Sequence, residues 1–175
     1  ASGNYVQSNL QPQAVLTSVN GSNATYFTST RNDVDWRVRK GWYMPLASGD
    51  PYPGERIIFP AQTTRGRIIF TTASVNSSDP CESTGTGRLF ELDAITGGMF
   101  AYPVLDTNGD GSVNSSDTIV AGRGFGGIPS LASIVAGTAG ADDNKFVIDS
   151  GGGPPTQLTE QSGTVFQRIM WRQVQ

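Results

Sequence analysis

Residues 106–117 read DTNGDGSVNSSD, with carboxylate, amide and hydroxyl side chains at alternating positions around a central glycine. Counted from Asp106 as position 1, Asn108 is 3, Asp110 is 5, Gly111 is 6, Ser112 is 7, Asn114 is 9 and Asp117 is 12. Calcium takes about six to eight oxygen ligands, and a twelve-residue loop supplies them from these positions. The spacing predicts Ca2+ held by Asp106, Asn108, Asp110, Ser112 through its backbone carbonyl, Asn114 directly or through water, and Asp117. Gly111 gives the bend. Magnesium, which resists dehydration and takes few protein ligands, fits less well. The same composition also suits a polar turn without metal, since Asp, Asn, Gly and Ser favour turns on their own account.

The twelfth residue is Asp where a regulatory EF-hand has Glu, and in this the loop is similar to the calcium loops of extracellular modules such as dockerins. It follows MFAYPVL and leads into TIVAGRGFGG. Neither flank suits a long helix, so the expected role of the ion is to pin a long connection, not to open a sensor.

Little else points to chemistry, and no catalytic residue is assigned. The chain has no histidine, which removes the commonest general base and zinc ligand and every Ser-His-Asp arrangement. Asp33 with Asp35, and Glu91 with Asp93, are spaced to share a strand face, and the expected setting is a solvated surface without catalysis. GRGFGG at 122–127 satisfies G-x-G-x-x-G. A dinucleotide site needs a helix to follow, and IPSL follows instead, so the glycines are read as a loop between strands. Arg37, Arg39 and Lys40 form a short basic cluster, read as a solvated strand end. With a net charge of −3, nothing suggests nucleic-acid binding. Trp36, Trp42, Tyr43 and Trp171 could line a carbohydrate platform, although Trp42 and Trp171 stand in strand-like contexts that favour the core. Cys81 is the single cysteine. It is either a buried thiol or paired with something outside the chain.

The elements that must position these residues are strands. With 22 Gly, 10 Pro and only 15% charged residues in 175, long helices are disfavoured and turns are plentiful. Strands are expected at 14–19, 25–30, 34–38, 41–46, 56–61, 67–75 and 88–98, and then in TIVAG, IPSLASIVAG, KFVIDSGGG and TVFQRIMWRQV. NGSNA and TTRG read as turns, and GGGPP at 151–155 as a rigid turn or short linker. No apolar run reaches the length of about 20 residues needed to span a bilayer. About ten short strands at regular spacing predict one all-β domain over 1–175, as antiparallel sheets in a sandwich, barrel or propeller.

Several blocks in order carry a family resemblance: VDWRVRKGWYMPL, GERIIFPAQTTRGRIIFTT, SSDPCESTGTGRLFELDAITGG, the DTNGDG loop, GIPS and the terminal WRQV. Over about 34–175 the chain resembles the C-terminal region of the PilC/PilY family, the tip-associated adhesins and biogenesis factors of bacterial type IV pili. Residues 1–33 are less distinctive. The resemblance implies a portion of a modified β-propeller, without enzymatic activity, at the C-terminal end of a larger exported protein. It also implies an extracellular location at the pilus tip, and roles in pilus assembly, in opposing retraction and in surface attachment, with calcium regulation. Minor pilins and a host or surface receptor are the implied partners, and Cys81 is expected to bond to a cysteine further upstream. At about 40–45 residues per blade the chain holds at most about four blades. Exposed strand edges, and self-association or docking onto the rest of the propeller, are therefore expected. The alternatives are a β-sandwich serving as a calcium-stabilised carbohydrate-binding or polysaccharide-degrading accessory module, and a structural filament subunit.

Overall fold

The computed structural model describes residues 6–22, 24–46, 52–75, 85–138 and 141–162. Cys81, Trp171 and the strand expected from Thr164 onward lie outside them. Twelve strands are seen among the described residues: β1 (Gln11–Pro12), β2 (Val15–Asn20), β3 (Thr25–Ser29), β4 (Trp42–Tyr43), β5 (Arg56–Ile57), β6 (Gln62–Thr64), β7 (Arg67–Val75), β8 (Gly85–Asp93), β9 (Gly122–Phe125), β10 (Ser133–Val135), β11 (Asp143–Val147) and β12 (Thr156–Glu160).

Seven strands form one sheet in the order β2-β3-β9-β8-β7-β5, with β6 also on β7. A second sheet runs β10-β11-β12, and β1 and β4 make a short parallel pair. Every other pairing is antiparallel. The sheets stay open, with no closed barrel among the described residues, as expected for part of a propeller. Ile57, Ile58 and Phe59 are exposed at the β5 edge.

β7 and β8 are almost continuously buried because both faces of the large sheet are covered. On one face Ile69, Leu89 and Phe125 meet Ala132, Val147 and Leu158 of the small-sheet region. On the other, Phe27 and Phe70 flank Phe90, both at 4.7 Å between ring centroids, with Leu92 and Ala121 beside them. A third cluster of Tyr26, Phe100, Val104, Leu105 and Val120 lies under the long β8–β9 connection.

Several expected elements differ. Residues 34–38 are not a strand. Asp35 Oδ1 accepts from the Arg37 N–H at 3.0 Å and the Asp35 carbonyl from Arg39 N–H at 2.7 Å, and this local bonding diverts the backbone into a turn. The basic cluster on that turn is solvated, as expected, with Arg39 half-buried. The hairpin turn is shorter than TTRG: Thr63 and Thr64 belong to β6, and Arg65 (φ 50°) and Gly66 (φ 80°) alone turn the chain. Two positive φ values match the twist of the flanking strands. The strand expected over 88–98 stops at Asp93, whose carboxylate accepts the Ile95 and Thr96 N–H groups at 2.7 and 2.9 Å.

GRGFGG is not a loop. Its first four residues are β9, paired on both sides in the centre of the large sheet. Its glycines serve close approach: a Cβ on Gly122 would stand 1.9 Å from the Leu89 carbonyl and 2.6 Å from the Phe27 ring. β12 was not expected from the sequence at all. It brings Glu160 opposite Asp143.

Candidate functional site

The loop at 106–117 lies within the β8–β9 connection, clamped at its start on two sides. Leu105 bridges to Glu160, and the Asp106 N–H donates to the Thr159 carbonyl at 3.0 Å. Across from β12, the Tyr26 hydroxyl donates to the Asp106 carbonyl at 3.2 Å and the Ser22 N–H to that of Thr107 at 3.2 Å.

Within the loop, side-chain oxygens collect backbone N–H groups. Asp106 Oδ1 accepts from Gly109 at 2.6 Å and Oδ2 from Gly111 at 2.8 Å. Asn108 Oδ1 accepts from Asp110 at 2.8 Å, Asp110 Oδ1 from Ser112 at 2.9 Å, and Asn114 Oδ1 from Ser116 at 2.9 Å. Gly111 has φ 86°, and a Cβ there would meet nothing within 4 Å. Glycine is needed for the backbone bend, not for space.

Asn108, Asp110 and Asn114 come together. Their amide nitrogens reach Asp110 Oδ2 at 3.1 and 3.4 Å. These contacts, behind that of the Ser112 N–H, hold the Asp110 carboxyl below its ordinary value of 3.8. Asp117 is buried and acts as a clasp. Its Oδ1 accepts from the N–H groups of Thr107 and Asn108 at 2.7 and 3.2 Å and from Thr107 Oγ1 at 3.2 Å, while Oδ2 accepts from Asn114 N–H at 2.9 Å. Ser112 and Gly111 border a cavity of about 420 Å3 against Asp142, Asn144, Gln157 and Thr159.

The donor set is carboxylate, amide and carbonyl oxygen, which suits a hard cation. Most of these oxygens carry one N–H and keep a second lone pair. The exceptions are Asp117 Oδ1, with three donors, and Asp110 Oδ2 and Asn114 Oδ1, with two each. Among the described residues no three His, Cys, Asp or Glu side chains gather closely enough to hold a metal by themselves. The acids alone therefore do not make up a metal-binding group among the described residues.

The acid pairs take other roles. Asp35 and Asp93 cap turns, and Glu91 is fully buried, contrary to the solvated face expected for it. Glu91 accepts from Arg67 Nη1 at 2.7 Å and from Lys145 Nζ at 2.5 Å, and Lys145 also meets the Glu160 carboxylate. Two acids and two cations from β7, β8, β11 and β12 thus join the two sheets. Their signal in the sequence is weak: β7 and β12 carry one charged residue each, but β8 also holds Arg88 and Asp93, and β11 also holds Asp143. Trp42 is half-buried and donates to the Ala94 carbonyl at 3.2 Å, and Trp36 is exposed.

No family model matches the chain. A type IV pilus biogenesis factor PilY1 homolog of Xylella fastidiosa (strain Temecula1 / ATCC 700964) is 30% identical over 141 residues, covering 77% of this chain and 11% of that protein. Another of the same name and organism is 34% identical over 92 residues, 51% of this chain and 6% of the relative. The chain therefore spans about a tenth or less of the length of these relatives. In fold it is similar to the crystal structure of the Pseudomonas aeruginosa PilY1 C-terminal domain, with a TM-score of 0.66, 20% identity, and coverage of 90% of this chain and 32% of that one. The all-β, antiparallel architecture expected from the resemblance is thus borne out. By its sequence the chain belongs to the PilY1 family.

Proposed function

We propose that this chain is a calcium-binding, non-enzymatic part of a type IV pilus biogenesis factor. It acts outside the cell at the pilus tip after export through the periplasm. There it supports pilus assembly, opposes retraction and contributes to surface attachment, with minor pilins or a surface receptor as partners. The relatives' names support the pilus assignment. The observation that carries the calcium reading is the convergence of Asn108, Asp110 and Asn114 in a loop clasped by Asp117 and clamped between β12 and the β2–β3 turn.

An ion held by Asp106, Asn108, Asp110, Ser112, Asn114 and Asp117 would supply positive charge where the protein places only N–H dipoles. It would fasten the β8–β9 connection to both sheets. Because the folded loop alone presents this donor set, binding adds to stability by mass action, by about 2.7 kcal/mol at a hundredfold excess over Kd. The engagement of Asp35, Glu91 and Asp93 in turn caps and buried pairs supports a non-enzymatic role.

The test is calorimetric titration of the chelated protein with calcium chloride, beside Asp110→Ala. A saturable heat and a raised melting temperature are expected in the wild type, and both are diminished in the variant. A wild type that takes up no calcium removes the metal assignment. Deletion of the gene is expected to reduce surface pili, and unchanged piliation removes the pilus assignment.

A further inference from the structure

A cleft of about 430 Å3 opens where β9 leaves β3. The two strands pair at Tyr26 with Arg123 and Phe27 with Gly122, and no further. Around the opening stand Arg123, Thr25, Tyr52, Asp149 and Thr156, with Gly124 in the floor. A Cβ on Gly124 would lie 2.7 Å from the Tyr52 hydroxyl, so the glycine keeps the notch open.

Arg123 is the unusual group. Its Nε is buried without a hydrogen-bond partner, and among the described residues its guanidinium makes no ion pair. It lies over the Phe125 ring at 5.3 Å. Burial pulls its pKa below the ordinary arginine value, opposed by Tyr26 and Asp149. Arg123 as a whole is half-buried, and the rest of its guanidinium can take an arriving carboxylate through a two-pronged contact. The Tyr52 ring is held against Arg88, 4.6 Å away, and Arg88 is itself fixed by Glu55. Among the described residues the Tyr52 hydroxyl has no hydrogen-bond partner. Asp149 uses Oδ1 on the Gly151 N–H at 2.7 Å and leaves Oδ2 to accept.

One side of the cleft therefore asks for an anion and the other for hydroxyl donors. An acidic peptide side chain or a simple anion meets only the first demand. We propose that this cleft binds a carboxylated sugar unit of the uronic-acid type, its carboxylate on Arg123 and Tyr52 and its ring hydroxyls on Asp149 and Thr156. The site uses none of the calcium-loop residues, and its test is run with chelator present so that the two readings fail separately.

The 15N-labelled chain is titrated with glucuronate, glucose, acetate and N-acetyl-aspartate amide, followed by amide resonances. Glucuronate is expected to move the signals of Tyr52, Arg123, Gly124 and Thr25 saturably, and each other probe to bind about tenfold more weakly or worse. Arg123→Gln is expected to lose about tenfold in glucuronate affinity, and Gly124→Ala to weaken it by closing the notch. An unmoved wild-type spectrum, equal binding of acetate or the acidic amide, or undiminished affinity in a folded Arg123→Gln variant overturns the proposal. The wild-type map stands as a test even if a variant does not fold.

Discussion

The β7–β8–β11–β12 charge cluster and the 106–117 loop use the same chemistry in opposite settings. In the cluster, Glu91 and Glu160 are buried and matched by Arg67 and Lys145, so two acids meet two bases inside the protein. In the loop, Asp106 and Asp110 face solvent with backbone and amide N–H groups as partners and no side-chain cation. The two buried glutamates carry their own counter-charge, whereas the loop's buried acid, Asp117, is held by N–H groups and the Thr107 hydroxyl alone. The loop acids near water are left free to receive a counter-charge from outside. The comparison separates acids paired with protein cations from acids that have none, without appeal to their spacing.

The largest effect is expected at the cluster. Lys145→Met removes the cation that both acids share and strands them in the interior, at a cost of about 3–5 kcal/mol, read from urea unfolding. Adding Glu160→Gln to Lys145→Met is expected to recover part of that loss, because one buried charge goes with it. A loss below about 1 kcal/mol for the single variant would mean that the cluster behaves as a surface network, and the contrast would fail. The pH dependence has a defined sign. Burial, then the neighbouring Glu91, raises the Glu160 carboxyl above its ordinary value of 4.5. An acid with a raised folded pKa contributes stability that is fully present below the unfolded value and is lost as pH rises through the folded one. Wild-type stability is therefore expected to fall across that window relative to Glu160→Gln, measured by unfolding at a series of pH values.

The next effect belongs to the loop's one buried acid. Asp117→Ala leaves the N–H groups of Thr107, Asn108 and Asn114 without their acceptor, at about 1–3 kcal/mol. Gly111→Ala is expected to cost about 1–2 kcal/mol through its positive φ, in a position with ample room. Thermal unfolding of both, with and without calcium, sharpens the comparison. If calcium is bound, the Asp117 variant gains less from it than the wild type does.

How much of this could be read from the sequence follows from how local each signal is. The loop's turns are legible because Asp106, Asn108 and Asp110 bond to N–H groups two to five residues away, and spacing alone reports such contacts. The β2–β3 and β7–β8 strands are legible from their apolar runs. The charge cluster is hidden because Glu91 reaches Lys145 across 54 residues. A charge within a strand looks the same whether water or a distant lysine faces it. β9 was misread for a related reason: its glycines resemble a loop until Leu89 and Phe27 are placed against them. The turn at 34–38 was misread in the opposite direction, since apolar alternation suggested a strand and the Asp35 side chain decided otherwise.

The smallest effect is the most direct probe of the loop's electrostatics. Asp110 is fully exposed, yet its pKa lies below the ordinary 3.8, first through the Ser112 N–H and then through the Asn108 amide, with Asn114 adding to them. A depressed acid contributes stability that is present above its unfolded value and is lost as pH falls through the folded one. Because the group is solvated, the loss is small, and it is better read by carbon-detected NMR titration of the carboxyl itself than by unfolding. Asn108→Ala is expected to move that titration back toward 3.8, and Asn114→Ala to move it less. Adding calcium to the wild type is expected to push it further down, since a cation favours the charged form more strongly than an amide does. A carboxyl that titrates identically with and without calcium would mean that the N–H groups already complete the site, and the loop would then belong with the cluster as a self-sufficient structural device.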